Sequence, residues 1–124
     1  MGLNLSFGWM WILVGLATGA LIGIFFHDEA WLGGYGTWRR RMVRLGHIAF
    51  LGTGLLNVAA ALSVQNLASS ALPAWVSWLL ILGAATMPTA CFLSAWRDAF
   101  RHTFVIPVAS LIVATAAIAL EVAR

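Results

Sequence analysis

Three histidines, the single cysteine and one of the four methionines have side chains whose chemistry could bind a metal or a cofactor. The histidines are His27, His47 and His102, and Cys91 is the only cysteine among the 124 residues. Met87 lies four residues before Cys91, so on a helix the two sulfur atoms share one face. Two imidazoles from different helices can serve as axial ligands of haem iron, whereas a histidine combined with sulfur ligands suits copper(I).

Four apolar segments of about 20 residues must position these side chains. A helix of that length crosses a hydrocarbon core about 30 Å thick, and lipid offers the backbone no hydrogen-bond partners. With 62% hydrophobic and 9% charged residues, the chain is too apolar for a small water-soluble domain. We therefore predict an all-α integral membrane protein with one transmembrane domain, residues 1–124, and helices over residues 7–26, 42–64, 74–96 and 103–122.

The arginines predict how these helices are oriented. Six of the seven arginines lie in residues 39–44 and 97–101, whereas residues 65–73 carry no charge. Arginine-rich connections stay in the cytoplasm, so both chain termini are expected outside it, in an up-down four-helix bundle of the bacterial inner (plasma) membrane. Because a basic patch beside a membrane usually contacts lipid, the expected partner is the bilayer and not nucleic acid.

Glycines in the first helix predict close helix packing. Gly15, Gly19 and Gly23 are spaced by four residues and share one face, where the missing side chains let another helix approach. The spacing does not select between helix 2, helix 4 and a second copy of the chain. We expect self-association through this glycine face, as a homo-oligomer or as a subunit of a larger membrane complex.

The predicted topology gathers the histidines at the cytoplasmic side. His27 ends the first helix, His47 lies one turn inside the second, and His102 begins the fourth. The sequence thus predicts a site for haem b or copper, with His47 and His102 as ligands, His27 as the alternate, and Cys91 and Met87 as neighbours or soft ligands. A further variant is a metal site with nitrogen and oxygen ligands at the cytoplasmic face, formed by His27, Asp28, Glu29, Asp98 and His102. Such a protein would be an accessory of a respiratory electron-transfer complex.

Three other classes remain open. In a cofactor-free structural or assembly subunit, the histidines and Asn57, near the middle of the second helix, would serve packing alone, and an interhelical hydrogen bond contributes about 1 kcal/mol. A small transporter or channel needs a polar path, for which only Asn57, Thr53, Thr86 and Thr89 approach the membrane centre. An enzyme is least supported, because no carboxylate pair and no nucleophile with a base lies within the apolar segments.

Three further sequence features concern the first connection, the third helix and the tryptophans. The glycine-rich residues 33–36, followed by arginines at 39–41, could hold a lipid phosphate or another anion, although a flexible interfacial loop is the simpler interpretation. Pro88 removes one backbone donor from the third helix and frees a carbonyl one turn earlier, which predicts a kink.

The seven tryptophans are expected at the two membrane interfaces, with Trp9, Trp11, Trp75 and Trp78 outside and Trp31, Trp38 and Trp96 inside.

Overall fold

The computed structural model describes residues 2–65 and 71–124, and its regular secondary structure there is entirely helical. Each of the four long helices has the length and apolar composition to cross a membrane, which suggests a multi-pass membrane protein and confirms the predicted all-helical class. Residues 66–70, most of the uncharged connection, lie outside the described residues. The long helices are α1 (Leu3–Phe25), α2 (Trp38–Gln65), α3 (Ala74–Trp96) and α4 (Val105–Val122), and short 3-10 helices cover Trp31–Gly33 and Asp98–Phe104.

Two helices begin earlier than the apolar pattern predicts. α1 begins at Leu3 and includes Asn4, and α2 begins at Trp38 and includes the arginine run. Thr37 lies just before α2, and its hydroxyl accepts a hydrogen bond from the Arg40 backbone N–H at 3.3 Å, as a helix N-cap does. Hydropathy alone excludes these polar residues from a membrane helix, although the Asn4 and Arg40 side chains have hydrogen-bond partners within the protein.

α2 and α3 form the centre of the bundle. α1 packs on α2, α4 packs on α3, and α1 touches α3 only lightly. Ala60 of α2, Val76 and Leu80 of α3, and Ala114 of α4 form one buried apolar cluster. The two alanines of this cluster let the helices approach closely, which is how helices pack when lipid surrounds them.

The glycine face of α1 packs against α2 of the same chain. A Cβ atom on Gly8 would lie 2.7 Å from the Gly54 carbonyl oxygen, and one on Gly15 would lie 2.9 Å from a methyl carbon of Leu51. A Cβ on Gly19 would overlap the His47 imidazole. The helix 2 alternative therefore accounts for Gly15 and Gly19, and self-association is not needed to explain them.

Gly23, the last glycine of the predicted stripe, differs from the other two. A Cβ atom there would meet nothing within 4 Å. On α2, Gly54 faces Gly8, whereas Gly52 likewise faces open space. The four-residue spacing alone does not distinguish glycines in a contact from glycines beside one.

Candidate functional site

A closed hydrogen-bond network joins α1, α2 and α3 near the end of the bundle that carries the chain termini. The Asn4 amide donates to the Asn57 side-chain oxygen at 2.8 Å and to the Ser77 backbone carbonyl at 3.3 Å, while the Ser77 hydroxyl donates to the Asn4 side-chain oxygen. Asn57 in turn donates to the Thr53 carbonyl at 2.9 Å. Asn4 and Asn57 are 4% and 0% exposed. Because their polar atoms are satisfied within the protein, this network holds helices together and offers no free group to a ligand.

Indole groups bind two carbonyl oxygens that α3 cannot satisfy itself. Pro88 lacks the N–H that would bond the Ala84 carbonyl, and the Trp11 indole N–H donates to that oxygen at 3.0 Å. Near the end of α3, the Trp38 indole N–H donates to the Ser94 carbonyl at 3.0 Å. The carbonyl freed by Pro88 thus has a partner on α1. Both tryptophans, expected only as interface markers, connect helices.

The arginine-rich end, formed by residues 26–44 and 97–104, contains one fully buried guanidinium. Arg40 is 0% exposed and donates to the carbonyl oxygens of Phe26 at 2.6 Å, Asp28 at 2.9 Å and Trp31 at 3.3 Å. These oxygens follow the carboxyl end of α1, where the helix dipole favours a cation. Arg40 therefore closes the end of α1 with charge-assisted hydrogen bonds.

Three aromatic rings enclose the same guanidinium. Its central carbon lies 3.8 Å from the ring centre of Tyr35, 4.5 Å from that of Phe26 and 5.4 Å from that of Trp31. Aromatic faces attract cations, and more strongly where water is excluded. We call the carbonyl oxygens and rings around Arg40 the arginine cage.

The backbone between α1 and α2 is folded to build this cage. Leu32, Gly33 and Gly34 have φ angles of 55°, 85° and 111°, so the chain reverses through three consecutive positive-φ residues. The Thr37 hydroxyl lies 2.9 Å from the carbonyl oxygens of Leu32 and Gly34 and fixes the turn. The glycine-rich segment, expected to hold an anion or to be flexible, thus wraps a cation of its own chain.

The remaining charges make the arginine-rich end strongly cationic. Six arginines there face three carboxylates, those of Asp28, Glu29 and Asp98, which leaves a surplus of three positive charges. Across the described residues, the only ion pair joins Arg124 and Glu121 at 3.7 Å, at the opposite end. Five of the six arginines are exposed and free of ion pairs in the described part of the chain, namely Arg39, Arg41, Arg44, Arg97 and Arg101.

His47 is the one histidine inside the bundle. Its imidazole packs on Gly19 of α1, and its Nδ1 atom is buried without a hydrogen-bond partner among the described residues. His27 and His102 are exposed. His102 belongs to the 3-10 helix that packs on α3 and α4, whereas His47 packs on α1. The two histidines predicted as ligands, His47 and His102, therefore lie at different helix contacts.

The sulfur side chains lie in α3. Cys91 is 0% exposed and Met87 is half-buried. Within residues 2–65 and 71–124, no three His, Cys, Asp or Glu side chains are close enough together to hold a metal ion. Haem ligation needs only two protein ligands, and a site of that kind stays a prediction.

The three threonines considered for a polar path form hydrogen bonds within their own helices. The Thr53, Thr86 and Thr89 hydroxyls donate to carbonyl oxygens four residues earlier, those of Ala49, Leu82 and Ala85, at 2.6–2.7 Å. Each hydroxyl is thus satisfied by its own helix. The transporter alternative gains no support from these contacts.

Comparison of the chain with protein-family models, curated proteins and solved structures finds no match. The proposals below therefore depend on the side-chain geometry. Sequence reasoning named Asn57 but missed three of the residues that organise this geometry, Asn4, Arg40 and Trp11. A signal was available for Trp11, because the carbonyl freed by Pro88 requires a donor from a neighbouring helix.

Proposed function

We propose that this chain is a four-pass protein of the bacterial inner membrane, with the arginine-rich end in the cytoplasm and both termini outside it. Four apolar helices of sufficient length support this placement. The unpaired arginines at one end, against a neutral Arg124–Glu121 pair at the other, support the orientation.

Within that membrane, the chain acts as a structural or assembly subunit. The observation that carries this proposal is that its buried asparagines, its buried arginine and two of its tryptophans bond to other parts of the chain. Binding and catalytic sites instead keep polar groups directed toward a ligand. Because these polar side chains bond within the chain, they hold the helices in a rigid bundle. The outer surface of that bundle is then what contacts a partner.

A groove between α2 and α4 supports a contact with an apolar helix of another subunit. Its volume is about 420 Å³, and small side chains line much of it, including Ala59 and Ala60 on α2 and Ala119 on α4. Small residues permit close approach of a further helix. The lower burial of α4, relative to α2 and α3, leaves this side of the bundle open.

Filling the groove tests the proposal. We expect native mass spectrometry of the protein, purified in mild detergent, to show a complex larger than the 13.3 kDa chain. Ala119→Phe should release the partner because the ring occupies the groove, whereas Leu120→Phe should leave the complex intact because Leu120 lies outside the groove and is 68% exposed. A monomeric wild-type chain, or equal effects of the two variants, would contradict the proposal.

A second candidate is a haem or copper site at His47, as an accessory of an electron-transfer complex. The favouring observation is the buried Nδ1 atom of His47, which has no partner in the described part of the protein. The His47 imidazole packs on Gly19, which lies eight residues before His27. A site that pairs these two histidines would therefore have to bridge roughly 12 Å along the direction of α1. A metal-bound histidine usually donates its second ring N–H to an acceptor. If Nε2 of His47 held the metal, that second nitrogen would be Nδ1, which has no acceptor in the described part of the protein.

The same purified sample decides between the two candidates. A cofactor held by His47 predicts a Soret band or stoichiometric copper that disappears in His47→Ala. The structural proposal predicts neither signal in the wild-type chain, and an unchanged complex in His47→Ala. A Soret band that depends on His47 would replace the first proposal with the second.

A further inference from the structure

A cleft at the arginine-rich end carries two opposite charges that have no ion-pair partner among the described residues. It has a volume of about 360 Å³ and lies between the beginning of α2 and the end of α3. Arg39 and Asp98 both line it and both are exposed. No ion pair within 4 Å joins them or links either to another described residue. The cleft therefore offers a cation and an anion to one ligand that carries both charges.

Two tryptophans form the sides of this cleft. The Trp38 ring is held by the hydrogen bond from its indole N–H to the Ser94 carbonyl. Trp96 is 68% exposed and stacks on Phe100, with the ring planes 16° apart. Exposed tryptophan rings beside arginines are typical of the level of lipid headgroups, and their faces attract an ammonium group.

We propose that this cleft binds the headgroup of phosphatidylethanolamine. Arg39 binds the phosphate through charge-assisted hydrogen bonds, and Asp98 accepts hydrogen bonds from the ammonium group. The inference rests on the membrane placement proposed above, because that placement brings the cleft to the headgroups.

Charge complementarity selects this lipid over the other common ones. An anionic phosphatidylglycerol headgroup carries the same phosphate but no ammonium group, so it leaves Asp98 without a cation. The trimethylammonium group of phosphatidylcholine has no N–H to donate to a carboxylate. Arg40 cannot add to the phosphate site, because its guanidinium is enclosed in the arginine cage.

Lipid binding to the purified chain tests the proposal. Native mass spectrometry of the full chain in detergent, titrated with phosphatidylethanolamine, phosphatidylglycerol or phosphatidylcholine, should show one tightly bound phosphatidylethanolamine. Arg39→Gln and Asp98→Asn should each weaken its binding about tenfold, the effect of one charge-assisted hydrogen bond. Arg101→Gln is the matched control, since it removes one exposed arginine from the same end but outside the cleft.

Tighter binding of phosphatidylglycerol, or equal losses in Arg39→Gln and Arg101→Gln, would overturn the proposal and indicate diffuse attraction to the cationic end. Unchanged melting temperatures of the variants in detergent would show that each chain is folded. Membrane topology is measured separately, by labelling in cells. If the lipid selectivity is not found but the topology is as expected, only the proposal for the cleft is rejected. If the topology differs from the expected one, the membrane placement is rejected.

Discussion

Gly8→Ala is expected to lower the free energy of unfolding by about 1–3 kcal/mol, the usual cost of inserting a methyl group into a closely packed contact. The added Cβ would lie 2.7 Å from the Gly54 carbonyl oxygen, which is backbone of α2 and cannot turn aside. The helices must therefore move apart, and the hydrogen bonds of Asn4, one turn earlier on α1, would be strained with them. Unfolding by sodium dodecyl sulfate in mixed micelles, followed by circular dichroism, measures the change.

Three further substitutions make this test specific. Gly23→Ala and Gly52→Ala place the same methyl group on the same two helices where nothing lies within 4 Å, so stability should stay the same or rise slightly with the higher helix propensity of alanine. Gly19→Ala should have an intermediate effect, because the His47 imidazole that it meets can rotate. Equal effects of Gly8→Ala and Gly23→Ala would contradict the described contact between α1 and α2.

Arg40→Met is expected to destabilise the chain by about 3 kcal/mol, although it replaces a charged side chain with an apolar one of similar length. The substitution removes the charge-assisted hydrogen bonds from the guanidinium to the carbonyl oxygens of Phe26, Asp28 and Trp31, and hydrogen bonds of charged groups contribute about 1.5–3 kcal/mol each. It also removes the contacts of the cation with the aromatic rings of the cage. Arg40→Lys should rescue only part of the loss, because one ammonium group cannot reproduce the planar fork that reaches opposite sides of the cage. The same detergent titration measures both variants.

Arg41→Met is the matched control for the cage. Arg41 is exposed and adjacent, so its substitution should change stability by about 0.5 kcal/mol or less. Proteolysis gives an independent readout, since residues 26–37 should become susceptible in Arg40→Met and stay resistant in Arg41→Met. If the two variants behave alike, Arg40 does not organise the connection between α1 and α2.

Hydropathy and residue spacing predict much of this fold. The third apolar segment matches α3 from Ala74 to Trp96, because its ends coincide with Pro73 and with the charged residues that follow. The glycine spacing identifies the face of α1 that packs closely. Both properties depend on local sequence, which is why they can be derived without the structure.

The candidate site is harder to derive, because it depends on pairs of residues far apart in the chain. Asn57 could be identified as a buried polar group, but its partner Asn4 lies 53 positions away, in a segment that resembles a polar tail. Nothing in the run of residues 39–41 distinguishes Arg40 from its neighbours. Only the direction of the first turn of α2 selects which arginine enters the cage.

Cysteine labelling across the membrane tests the central claim most directly. Gly2, Gly36 and Ala123 are exposed, so a cysteine at each position is accessible to a labelling reagent. The natural Cys91 is buried, so the wild-type chain serves as the unlabelled control. In spheroplasts, a membrane-impermeant maleimide should label Gly2→Cys and Ala123→Cys, and should label Gly36→Cys only after the membrane is permeabilised. Labelling of Gly36→Cys in intact spheroplasts, or of one terminus without the other, would contradict the four-pass membrane bundle.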